Sequence, residues 1–229
     1  MPVGSEPLLL LCGLGTDEEC WRDQTATLGG KALVAQGDTV AAMAADVLAQ
    51  APPRFALAGH SMGGYIALAI IQAAPERVTR LALLNSNAVA DDDAQRKTRQ
   101  RIIAMVEAEG LDPLIGLLPG LVSPDPAVQE RMAAMLQRVG PARIIREYRA
   151  CMTRPDRRAM LGTIAGPTLV IGSEDDVIVS PHLSREMAEG IPGAEFVMLP
   201  QGGHMSIMAC AGRVTDLLRA WMDRPQAAA

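Results

Sequence analysis

The chain predicts an α/β fold, a mostly parallel sheet with helices on both faces. Three observations carry that prediction. Short apolar runs alternate with helical patterns; the runs end in Gly, Asp or Asn; and one run enters a helix through Gly59-His60-Ser61-Met62-Gly63-Gly64. Such alternation lays consecutive strands parallel, with crossover helices covering the sheet.

The elements follow in order. Residues 8–12 form an apolar strand before Gly13-Leu14-Gly15, and residues 31–34 form a weaker one. Residues 55–58 lead into the glycine turn, residues 80–84 into Asn85-Ser86-Asn87, residues 167–171 into Gly172, and residues 195–199 into Pro200-Gln201-Gly202-Gly203. Helical spacing marks residues 39–50, 64–74, 184–190 and 211–222.

The alternation breaks between residues 91 and 165, which read as several short helices separated at Pro113, Pro119-Gly120, Pro124, Pro126 and Gly140-Pro141. Val128, Met132, Met135, Leu136 and Val139 recur there at helical spacing. A segment of this length exceeds one crossover and suits a lid over the strand ends, with residues 1–90 and 166–229 as the core. An ordinary outer layer with a core-facing methionine stripe is the alternative.

Composition sets the frame. The chain has 229 residues, 49% of them hydrophobic and 21% charged, with a net charge of −5. That charge offers no basic surface for nucleic acid or an anionic membrane. The apolar run at residues 8–12 is too short to span a bilayer. Four scattered cysteines without C-x-x-C spacing suggest reduced thiols in a cytoplasmic protein, with neither metal nor cofactor expected.

The chemistry concentrates at Ser61. A turn from strand to helix in about one residue tolerates no bulk at Gly59 or Gly63, and it lifts the serine hydroxyl to a helix N-terminus. A serine hydroxyl becomes nucleophilic only beside an imidazole, which itself needs an orienting carboxylate. Of the three histidines, His60 abuts the serine as a turn element and His182 follows Pro181 at an expected helix start. His204 lies in the Gln-Gly-Gly-His-Met loop after the last strand, and Gly-Ser-Glu-Asp-Asp follows the preceding one. All these loops open on the carboxyl edge of the sheet.

GHSMGG, APERVTRLALLN, the GSED turn, IPGAEFVMLPQGGHM and the early LLLLCGLGTDEECW together resemble the α/β-hydrolases over nearly the whole chain. The resemblance implies Ser61 as nucleophile, His204 as general base and acid, and Asp175 as the orienting carboxylate. It also implies an oxyanion hole from the Met62 and Leu14 backbone amides. The loop has Cys12-Gly13 where His-Gly is usual in the family, and Cys12 reads as a small buried hydrophobe. Counting three positions beyond Gly172 gives Asp175, whereas counting back from Pro181 gives a weaker vote for Asp176; Asp175 is the expectation.

Only residues 1–7 precede the first strand, and the second strand region runs quickly into a helix, so fewer than eight strands are expected. The expected activity is cofactor-independent hydrolysis of an ester, lactone or thioester in a small, partly apolar substrate. C–C bond hydrolysis, a lyase reaction and a non-catalytic ligand receptor are the alternatives on the same scaffold.

Overall fold

The computed structural model describes residues 6–225. Residues 1–5, most of the short stretch expected ahead of the first strand, lie outside the described residues. The sheet has strands β1 (Leu8–Leu11), β2 (Lys31–Leu33), β3 (Phe55–His60), β4 (Val78–Leu84), β5 (Thr168–Ser173) and β6 (Glu195–Leu199). They lie in the order β2-β1-β3-β4-β5-β6, and all five pairings are parallel. The sheet of the described residues is thus wholly parallel and smaller than eight strands.

Strand periodicity divides the core into two layers. Leu9, Leu11, Leu57, Leu83 and Val170 share one apolar cluster, while Leu10, Ala58, Leu84 and Ile171 share the other. Successive side chains of a strand point to opposite faces, so each strand feeds both layers. The first layer takes Met43 and Val47 from α2 (Val40–Gln50), Ile66 and Ile70 from α3 (Met62–Ala73), and Met187 from α7 (Pro181–Gly190). The second takes Ile207 from the short α8 (Ser206–Ala209) and Val214, Leu218 and Trp221 from α9 (Ala211–Met222).

Two elements after β1 escaped the sequence pattern, a 3-10 helix at Glu18–Trp21 and α1 at Arg22–Leu28. In α1 only Gln24 is buried, so no apolar stripe marks it. The Gln24 side chain earns its place by hydrogen bonding instead, donating to the Ile207 carbonyl at 2.9 Å.

Between β4 and β5 run α4 (Asp93–Glu109), α5 (Asp112–Val122), α6 (Pro126–Met152) and a 3-10 helix at Arg158–Thr163. The Gly140-Pro141 break holds: Gly140 has φ 77° and ψ 162°, which splits α6 in two. Pro119 breaks nothing and is buried near the end of α5. Val128, Met132, Met135 and Leu136 are all buried and belong to the second apolar layer, with Val139 packed against it. The stripe is therefore part of the core.

The strand order reverses once. From β1 the chain moves outward to β2, then returns to lay β3 on the other flank of β1. The loops after β1 and β3 consequently leave the same sheet edge side by side, and crevices at such reversals are where open parallel sheets place ligands.

Candidate active site

Ser61 is the single residue between β3 and α3, with φ 53° and ψ −117°. A non-glycine residue there is strained and persists only where its surroundings fix it. They do so with three hydrogen bonds. The Ser61 N–H donates to the Leu84 carbonyl at 2.9 Å, and the Ser61 carbonyl accepts from the Gly64 N–H and the Ser86 hydroxyl, each at 2.9 Å.

The glycines admit no side chain. A Cβ on Gly59 would strike the Gly63 carbonyl, and one on Gly63 would strike the Leu11 carbonyl. Gly13, after β1, is also tight: a Cβ there would lie 3.3 Å from Ser61 Cβ and 2.9 Å from His60 Nδ1. The loop after β1 thus lies directly against the elbow.

His204 reaches the serine from the loop after β6. Its Nε2 is 2.8 Å from Ser61 Oγ, and its Nδ1 is 2.9 and 3.2 Å from the two carboxylate oxygens of Asp176. An ionised carboxylate only accepts, so Nδ1 carries the proton and Nε2 presents its lone pair to the Ser61 hydroxyl. Burial pushes the Asp176 carboxyl up, but the His204 charge and hydrogen bond, the Val179 N–H and Asn85 outweigh it, leaving the pKa below its ordinary value.

The structure corrects the expected acid. Asp176, not Asp175, meets the imidazole. The Asp175 carboxylate turns to the same loop's backbone and accepts from the Gly202 and Gly203 N–H groups at 3.2 and 2.9 Å. The forward count failed because Gly172 is no turn residue: β5 continues through Gly172 and Ser173, which pair with Met198 and Leu199. Helix α7 does begin at Pro181, so the backward count was the sound one.

Asn85 was not anticipated. It is fully buried at φ 47°, a conformation asparagine tolerates better than most residues. Its amide donates to Asp176 Oδ2 at 3.0 Å and the Gly203 carbonyl at 3.2 Å, while its oxygen accepts from Ser206 at 2.5 Å. One side chain thereby ties the end of β4 to both the acid and the histidine loops. The only sequence signal was a polar Asn-Ser-Asn after an apolar strand.

His60 braces the elbow as a turn element. Its Nε2 is 2.8 Å from the His204 carbonyl, which can only accept, so Nε2 holds the proton. Burial, then the nearby His204 charge, pushes the His60 pKa down to about 3, with the hydrogen bond to His204 opposing. His182 is exposed at the start of α7. Cys12 is buried, and its thiol is held well above the ordinary range by a hydrogen bond with Cys20 and by burial. Such a thiol is a poor nucleophile.

The backbone N–H groups of Leu14 and Met62 have no protein acceptor among the described residues. Both follow residues that touch the elbow, and free amides at a helix N-terminus favour developing negative charge. Among those residues, too, no cluster of three or more His, Cys, Asp or Glu side chains is placed to hold a metal ion, and no helix is long and apolar enough to cross a membrane.

Two predictions follow from this geometry. Asp176→Asn should lower kcat by about 10⁴-fold, because an amide favours the wrong imidazole tautomer. Asp175→Asn keeps an acceptor for one of the two glycine amides and leaves the His204–Asp176 contact in place, so it should stay within about tenfold of the parent. Steady-state kinetics on an activated ester decides between them; the reverse pattern would return the role to Asp175. The second concerns acid stability. His60 is neutral in the fold down to about pH 3, whereas an unfolded histidine takes a proton near 6.5. Between those values the unfolded chain binds the extra proton, so His60 costs nothing above pH 6.5 and stability falls progressively toward pH 3. Urea midpoints measured from pH 7 to 4 should fall less steeply in His60→Gln than in the parent, and parallel curves would contradict the assignment.

The model of the Alpha/beta hydrolase family matches residues 8–217. A protein of Agrobacterium fabrum, provisionally named carbamate hydrolase RutD, is 30% identical over 86% of this chain and 85% of its own length. A thermophilic esterase from Thermogutta terrifontis superposes with a TM-score of 0.86 at 26% identity, covering 95% of this chain and 89% of that one. The enol-lactonase from Burkholderia xenovorans shares the fold, with a TM-score of 0.84 at 24% identity over 98% and 94% of the two chains. The chain belongs to the alpha/beta hydrolase family and is a hydrolase.

Proposed function

We propose that the protein cleaves an ester, lactone or thioester of a small, partly apolar substrate through an acyl-enzyme on Ser61. The unbroken line from Ser61 Oγ through His204 to Asp176 is the observation that supports this most. In this reading His204 Nε2 takes the hydroxyl proton as Ser61 Oγ attacks the carbonyl carbon, and Asp176 stabilises the imidazolium. The N–H groups of Met62 and Leu14 receive the negative oxygen of the tetrahedral intermediate. His204 then protonates the leaving group. Water, deprotonated by the same nitrogen, attacks the acyl-enzyme, releases the acid and restores Ser61.

A carbamate is the second reading, favoured by the name of the Agrobacterium fabrum relative. Its carbonyl can be attacked by the same serine, with the amine or alcohol side leaving on the proton from His204. In both readings the helices between residues 91 and 165 serve as the lid: their apolar stripe belongs to the core, yet Met132 and Leu136 within it also pack on Gly15 in the loop after β1. The four cysteines are free thiols, which suits a reducing, cytoplasmic setting.

Turnover of p-nitrophenyl acetate and of a p-nitrophenyl carbamate tests the proposal. Ser61→Ala should lose about 10⁴-fold or more in kcat on whichever is turned over while remaining folded. Full activity in Ser61→Ala would end this reading, and a carbamate-only activity would select the second.

A further inference from the structure

The loop after β1 is held by α6, far away in sequence. Glu147 is 1% exposed, and its Oε2 accepts from the Gly15 N–H at 2.8 Å. Its Oε1 accepts from Arg143 Nε at 2.6 Å, and the same guanidinium donates to the Thr16 carbonyl at 2.5 Å. The Thr16 hydroxyl closes the turn by donating to the Gly13 carbonyl at 2.9 Å. Gly15 itself has φ 71°, and Leu136 and Ile144 crowd it so closely that a Cβ would lie 2.9 and 3.2 Å from them.

A buried carboxylate is costly. Burial raises the Glu147 pKa despite Arg143 and the Gly15 amide, which pull it down. The charge is directed at one amide, the Gly15 N–H. That amide follows Leu14, whose own N–H is the expected oxyanion donor beside Gly13 and Ser61. Fixing the peptide after Leu14 removes a rotation that would swing its donor away from the nucleophile, and preorganised donors are what make such a hole effective.

We propose that Glu147, held by Arg143, is a positioning residue that sets the oxyanion loop, so that the placement of α6 governs transition-state stabilisation at Ser61. The inference rests on the serine-hydrolase reading above. It makes the second half of α6 part of the catalytic support in addition to a cover.

The test compares Glu147→Met, which keeps volume but loses the acceptor, with Glu147→Gln, which retains one. The double variant Arg143→Met/Glu147→Met leaves no unpaired buried charge and guards against a folding failure of the single change. On p-nitrophenyl acetate, Glu147→Met and the double variant should lose about 10²-fold in kcat, as for loss of an oxyanion donor, with KM within about threefold. Trifluoroacetone, which forms a tetrahedral oxyanion adduct, should bind these variants weaker by a similar factor, while inhibition by acetate stays unchanged. Glu147→Gln should recover to within about tenfold of the parent, since one acceptor remains. Lowered thermal stability with parental kcat and trifluoroacetone affinity, in a folded double variant, would overturn the proposal. Parent activity that survives Ser61→Ala would instead defeat the serine mechanism beneath it.

Discussion

At one point the start of α3 and the end of β1 approach so closely that nothing larger than hydrogen fits between them. Gly63 lies against the Leu11 carbonyl, and Gly59 lies against Gly63. This contact follows from pairing β1 with β3 at the reversal of strand order. It forces the chain to turn within Ser61, at a positive φ that the Leu84 carbonyl, Gly64 and Ser86 hold in place. The same contact sets Gly13 beside the serine, so Ser61 and the loop after β1 are positioned by one packing event. Larger residues at either glycine would part the two strands or unwind the turn.

The other half of the site depends on polar satisfaction where the sheet ends. Asp176 is buried and accepts from His204, Asn85 and the amides of Ile178 and Val179. Asp175, one residue earlier, holds the backbone of Gly202 and Gly203. Adjacent side chains diverge, so one carboxylate orients the ring and the other fixes the loop that carries it. A buried group that lost such partners would cost a desolvation penalty of about 1–3 kcal/mol, more when charged, which gives the network its rigidity.

Much of this was legible because sharp steric and periodic signals are local. The Gly-x-Ser-x-Gly turn, the alternation of strands and the histidine after the last strand are written within short windows. Counting from Gly172 lands one residue short of the carboxylate that meets His204, because Gly172 does not end β5 but stays paired to Met198 inside the sheet. Asn85 left only a polar Asn-Ser-Asn after a strand, and Arg143 and Glu147 only an ordinary i,i+4 pair on a helix; the contacts that tie them to the site span 91 to 132 residues. Helix α1 was missed for a related reason: it is anchored by a buried glutamine and not by an apolar face.

The central claim is that the strained elbow makes Ser61 the attacking group, and covalent capture tests it most directly. The folded protein is treated with a small fluorophosphonate, digested, and mapped by mass spectrometry. One adduct per chain is predicted, on the peptide bearing Ser61, with loss of ester turnover in step with labelling. An adduct confined to another residue, or turnover that continues after Ser61 is fully modified, would contradict the account.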